Sequence, residues 1–151
     1  METIFKAWRT SRNLYAEFFD NFSLDQLNKI PIGFNNNLIW NIGHIIVAQQ
    51  SLIYKGANLP MQISDEVVNL YKPGTKPSAM VSQTEVNELK GLLISLIEKT
   101  EADFEQGIFT TYTERTTITG FHLASVKDAF EFNNYHEGLH LGYMMAIKKL
   151  L

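Results

Sequence analysis

Apolar residues recur at three- and four-residue steps along four long stretches of the chain, the period of an amphipathic helix. The first stretch runs from about Thr3 to Phe22, with Ile4, Phe5, Trp8, Tyr15, Phe18, Phe19 and Phe22 on its stripe. A short extra turn capped by Ser23 is expected between Ser23 and Ile30, before Pro31 and Gly33 break the chain. The second stretch starts at Asn36 or Asn37, because an Asn side chain accepts from an orphan backbone N–H, and runs to Lys55. Leu38, Ile39, Ile42, Ile45, Ile46, Leu52 and Ile53 give it a broad apolar face, and Gly56 and Pro60 end it. From there to Val81 lies a connector, with a short helix expected over Ser64 to Tyr71 and a loop at Pro73, Gly74 and Pro77.

The third stretch has the clearest start. Ser82-Gln83-Thr84-Glu85 reads as a capping box, in which Ser and Glu each satisfy a backbone donor. Val86, Leu89, Leu93, Leu96, Ile97 and Phe104 form its buried face, and Gly107 ends it. Residues Ile108 to Thr119 are β-branched and Thr-rich, which suits an extended or hairpin-like crossing. The fourth helix begins near Ser125, with Asp128 completing a second box, and is expected to reach the last residue. Four long amphipathic helices in one small chain predict an all-α four-helix bundle, a single domain over residues 1–151.

Composition acts mainly by exclusion. The 151 residues suffice for one self-supporting core, and the absence of cysteine removes disulfides, Cys-ligated metals and a cysteine nucleophile. A net charge of -3 with scattered Lys and Arg lacks the basic patch of a nucleic-acid binder. Neither apolar run, Ile42 to Val47 or Leu92 to Ile97, approaches the roughly 20 residues that cross a bilayer. The N-terminus carries charge where a signal peptide would be apolar, so a cytoplasmic location without membrane partners is expected.

Chemistry can come from the four histidines, His44, His122, His136 and His140. His136 and His140 are one helical turn apart on one face, so they could share a metal ion, with nitrogen at about 2.0–2.1 Å. The same spacing also suits two structural histidines. His44, midway along the second helix, could supply a third ligand, whereas His122 lies outside the helices and reads as structural or exposed. His136-Glu137-Gly138-Leu139-His140 also fits H-E-x-x-H, the zinc peptidase signature in which Glu is the general base. No His, Asp or Glu follows His140, and the chain has little room for a second subdomain, so peptidase activity is not expected. Asn133 and Tyr143 share the histidine face, and Asn41 is three residues before His44; these could orient ligands or hold substrate, although Asn133 and Asn41 could equally only satisfy buried polar groups. Trp40 reads as core packing. Glu137, about 100° around the helix from His136, could bond a neighbouring helix, reach the metal region or be solvated.

Asn37-Leu38-Ile39-Trp40-Asn41-Ile42-Gly43-His44 together with Tyr135-His136-Glu137-Gly138-Leu139-His140-Leu141-Gly142 resembles the DinB-like (DinB/YfiT) superfamily, over essentially the whole chain. The resemblance implies an up-down-down-up bundle with a long crossover between its second and third helices. It also implies a divalent metal, zinc or nickel, on His44, His136 and His140. Characterised members include S-transferases and isomerases that use low-molecular-weight thiols such as bacillithiol or mycothiol. A thiol S-transferase acting on a small-molecule substrate is therefore the leading expectation. The alternatives are a metal-dependent hydrolase at the same site and a non-catalytic, metal-binding dimerisation module. A homodimer is expected from bundle geometry and family habit.

Overall fold

All four stretches with helical period fold as helices in the computed structural model, which describes residues 1–151. They are α1 (Glu2–Asn21), α3 (Leu38–Gln50), α5 (Gln83–Glu105) and α6 (Val126–Ile147). Two short helices fall in the connectors, α2 (Leu24–Asn28) and α4 (Asp65–Tyr71). Their starts follow from capping chemistry. Ser23, Ser82 and Ser125 each form a complete capping box, with Gln26, Glu85 and Asp128 respectively, while Asn37 and Ser64 accept from the backbones of Trp40 and Val67.

Two ends differ from expectation. The second helix does not stay α-helical to Lys55, because its last turn, Ser51–Lys55, widens to a π-helix. The fourth tightens into a 3-10 turn over Lys148–Leu150 before the chain ends. The Thr-rich crossing is extended, and its last part pairs as a two-stranded antiparallel hairpin of β1 (Arg115–Thr116) and β2 (His122–Leu123). Gly120, at φ 89°, supplies the left-handed residue of the turn.

Side-chain contacts give the helix directions. Asn134 reaches the carbonyl of Ile4 and Arg12 meets Glu137, so α1 and α6 run parallel. Asp20 pairs with Lys90 and Arg9 with Glu101, so α1 and α5 are antiparallel. Gln49 bonds Leu96, and Tyr54, one turn further, bonds Asp103, so α3 and α5 run parallel. Asn41 meets His140 while His44 faces His136, so α3 and α6 are antiparallel. Joining the parallel α3 and α5 requires the long connector through α4, which packs on α3.

Every residue of α3 from Leu38 to Gln50 is buried, which explains its near-continuous apolar sequence. The apolar core forms two clusters. One holds Tyr15, Ile42, Leu93 and Met144, the other Phe5, Trp8, Ile53 and Phe130. Between them Arg12, Gln49, Asn133 and Glu137 make a fully buried polar layer. The candidate site lies at this level of α6.

Candidate metal centre

His44, His136 and His140 converge. Their ligand-capable nitrogens all lie within 4.8 Å of one another, close enough for modest ring rotations to bring them onto one ion. Ring centroids are 4.6 Å apart for His136 and His140, 4.8 Å for His44 and His140, and 5.3 Å for His44 and His136.

The residues before His44 explain how it is held. Trp40, one turn earlier, stacks on the His44 ring at 4.8 Å with 10° between planes. Gly43 lets the Tyr71 ring close on α3, since a Cβ there would sit 2.4 Å from the Tyr71 Cδ1. That approach brings the Tyr71 carbonyl 2.8 Å from His44 Nδ1. Nδ1 thus carries the proton and Nε2 keeps its lone pair free, the tautomer a metal ligand needs.

His140 is oriented in the same way by Asn41. The Asn41 amide nitrogen donates to Asn36 Oδ1 at 2.9 Å and to the Asn37 carbonyl at 2.7 Å, which turns its oxygen to His140 Nδ1 at 2.8 Å. Of the roles open to it, Asn41 thus takes that of orienting a histidine. His136 is different: its buried Nδ1 has no hydrogen-bond partner in the protein. A buried unpaired nitrogen costs free energy unless something meets it. The three rings together offer a nitrogen donor set that fits one shared ion.

Burial keeps the three rings neutral. Desolvation is the largest cause in each case, pushing His136 down to about 4 and His140 down to about 3, with nearby histidines adding to the effect. His44 is also lowered by burial, against an opposing contribution from the Tyr71 carbonyl. Neutral imidazoles offer lone pairs at neutral pH without first losing a proton.

Two cavities reach the histidines from different sides. One, about 370 Å³, is lined by His44, His136, Ser51, Leu52, Phe132 and the β1–β2 hairpin. The other, about 350 Å³, is lined by His140, Asn36, Trp40, Asn41, Leu139 and Tyr143. Tyr143 thus stands at the mouth of the centre, partly exposed, with its ring edge on Phe34 at 5.2 Å. Trp40 is buried, as read from the sequence, and also forms part of this second wall.

Asn133 is elsewhere. It is fully buried, donates to Glu137 Oε1 at 2.8 Å, and lines neither cavity. Glu137 takes the first of its three possible fates, bonding a neighbouring helix. Its carboxylate accepts from Trp8 Nε1 at 2.7 Å, Arg12 Nε at 2.9 Å and Arg12 Nη2 at 2.7 Å, all on α1. Fully buried against α1 and absent from both cavities, it is not placed to activate water, so H-E-x-x-H is not a peptidase motif here. His122 is exposed and lies 3.2 Å from Glu114.

Arg12 was missed by reading residue types. The signal was present: position 12 lies one turn beyond Trp8 and three residues before Tyr15, on the apolar stripe of α1. Tyr71 acts through its backbone carbonyl, which no side-chain pattern reveals.

A model of the DinB superfamily matches residues 7–144, and the chain belongs to that superfamily. No curated protein matches the chain. No helix is long and apolar enough to cross a membrane.

Proposed function

We propose that this DinB-superfamily protein is a metal-dependent enzyme that transfers a low-molecular-weight thiol to a small electrophile. The observation that carries the reading is the convergence of three neutral histidines, two with their tautomers set by oxygen acceptors and the third with a buried nitrogen that nothing in the protein meets. His44, His136 and His140 would hold a divalent ion such as zinc or nickel, leaving positions open to exogenous ligands. A divalent ion bound there supplies Lewis acidity, lowering the pKa of a thiol or water presented to it.

The protein's own groups do the rest. Tyr71 and Asn41 hold His44 and His140 in the ligating tautomer, and Trp40 fixes the plane of His44. The two cavities give a thiol and an electrophile separate approaches, which favours group transfer over simple hydrolysis. Tyr143, on the second wall, is placed to position a substrate. The sulfur would come with the cosubstrate, since the chain has no cysteine. The same reading carries a homodimer, expected to scatter light at twice the chain mass.

The test is metal content by mass spectrometry, on protein purified without a His tag, for the wild type and for His44→Ala, His136→Ala and His140→Ala. Near-stoichiometric zinc or nickel is expected in the wild type and little in the variants, with far-UV helicity mostly kept. Turnover of electrophiles is then compared with and without added thiol. Turnover without thiol would point to hydrolysis, and normal metal content in all three variants would overturn the site.

A further inference from the structure

The cavity of about 370 Å³ beside His44 and His136 carries one charged side chain with no role so far, Arg115. It is the only Lys, Arg, Asp or Glu on that wall, and it is half-buried at the start of β1. A guanidinium stays charged at all relevant pH and presents five N–H donors in a planar fork. When partly withdrawn from water it normally meets a carboxylate. Arg115 meets none: no ion pair of the chain includes it, and its neighbour Glu114 faces His122 instead. The polar group beside it is the Tyr112 hydroxyl, which donates its own proton to the Leu52 carbonyl at 3.1 Å.

The segment leading to Arg115 is fixed in place. Thr113 N–H donates to the Gly56 carbonyl at 2.7 Å and the Thr111 hydroxyl to the Ala57 carbonyl at 3.1 Å. The Tyr112 ring lies so close to Gly56 that a Cβ there would be 2.6 Å from it. The backbone leading to Arg115 is therefore fixed beside the cavity, and the Tyr112 hydroxyl lies against the Arg115 side chain. Thr116, Thr117 and Thr119 line the same wall, the last two sharing a hydrogen bond at 3.1 Å, and Leu52 and Phe132 add apolar surface.

We infer that this cavity binds a small molecule by its carboxylate, clamped by Arg115, with the reacting end of the molecule toward His44 and His136. One unpaired cation matches one carboxylate, and its fork matches the two oxygens. A phosphate dianion would leave charge uncompensated in a chain whose net charge is already -3. The inference rests on the metal-dependent transfer reading above.

The test uses the full chain loaded with Co²⁺, whose thiolate charge-transfer band reports a thiol at the centre. Wild type and Arg115→Gln are titrated with 2-mercaptoethanol and with 3-mercaptopropionate, and propionate binding is followed by calorimetry. 3-Mercaptopropionate is expected to bind about ten- to hundredfold more tightly than 2-mercaptoethanol, with the gap lost in Arg115→Gln. That result places the carboxylate on the thiol. Arg115-dependent propionate binding that leaves the 2-mercaptoethanol band in place puts it instead on the second substrate. Cobalt uptake and far-UV circular dichroism show whether Arg115→Gln is folded; should it not fold, Arg115→Lys, which keeps the charge but loses the fork, is expected to lose most of the gap. Thiol bands with no carboxylate preference, and no Arg115-dependent propionate binding, would overturn the inference and leave the metal reading standing. No cobalt uptake would overturn both.

Discussion

Replacing Glu137 separates two roles for the same residue. Its carboxylate accepts four hydrogen bonds, from Trp8 Nε1, Arg12 Nε, Arg12 Nη2 and Asn133 Nδ2, at 2.7 to 2.9 Å. Both charged partners are fully buried. Glu137→Ala would leave the Arg12 guanidinium in the core with only the Leu93 carbonyl and Gln49 Oε1 as acceptors. Removing one partner of a buried ion pair typically costs about 3–5 kcal/mol. Against a total stability of about 5–15 kcal/mol, that is a large fraction of what holds the domain folded. Glu137→Gln is expected to lose somewhat less, since it keeps one acceptor oxygen. Replacing both partners with apolar residues, as in Arg12→Met with Glu137→Leu, removes the stranded charge. The double variant should then be more stable than the sum of the single effects predicts, by about 2 kcal/mol or more. Urea unfolding of the four proteins in this cycle measures the coupling. A general base at Glu137 predicts the opposite pattern, full stability with lost turnover. A cost below about 1 kcal/mol for Glu137→Ala, or no coupling in the cycle, would refute the reasoning.

Gly43→Ala would push a methyl into the Tyr71 ring and draw its carbonyl off His44 Nδ1, costing about 1–3 kcal/mol and about 10- to 100-fold in metal affinity by chelator competition. Gly91→Ala is the control, because a Cβ there meets nothing within 4 Å; it should gain about 0.5–1 kcal/mol and keep metal affinity. Asn41→Ala leaves His140 Nδ1 without its acceptor, and a similar loss of metal affinity with unchanged helicity is expected by titration and circular dichroism. At the start of α6, Asp128 is held below the usual carboxylate range, chiefly by the Ala124 N–H. Because its folded pKa is the lower one, its contribution is present above the unfolded value of about 3.9 and fades as pH falls through the folded value. Asp128→Asn should therefore flatten the acid limb of a stability profile measured by urea unfolding from pH 6 downward.

How much of this was legible follows from what each feature depends on. Helix starts are local, so Ser82 with Glu85, Ser125 with Asp128, and Asn37 could be read from a few residues. The pair His136 and His140 is also local, because a four-residue step fixes a shared face. Spacing alone left a structural pair open; the orphaned His136 Nδ1 and the approach of His44 appear only once α3 and α6 are packed. Asn133 shows the limit of the same rule. Three residues before His136, it shares a broad helical face with the histidines, yet packing against α1 turns its amide to Glu137. The hairpin partner of Arg115, residue 123, lay beyond the segment whose composition suggested it, because pairing depends on the turn at Gly120 as well as on β-branched content.

H-E-x-x-H acquires its meaning from the azimuth of α6 rather than from its letters. Successive residues on a helix are about 100° apart, so Glu137 lies at the edge of the histidine face, and the helices packed on either side decide what it meets. Here α3 takes His136 and His140, and α1 takes Glu137, to which Asn133 of the same helix donates. Arg12 also donates to the Leu93 carbonyl and to Gln49 Oε1, so the buried ion pair ties α6 to α1, α5 and α3 at one level. A rotation of α6 that moved the histidines off His44 would have to pull the Glu137 carboxylate out of that layer. The carboxylate that in a peptidase would act on water here holds the helix carrying the two histidines in register with the third.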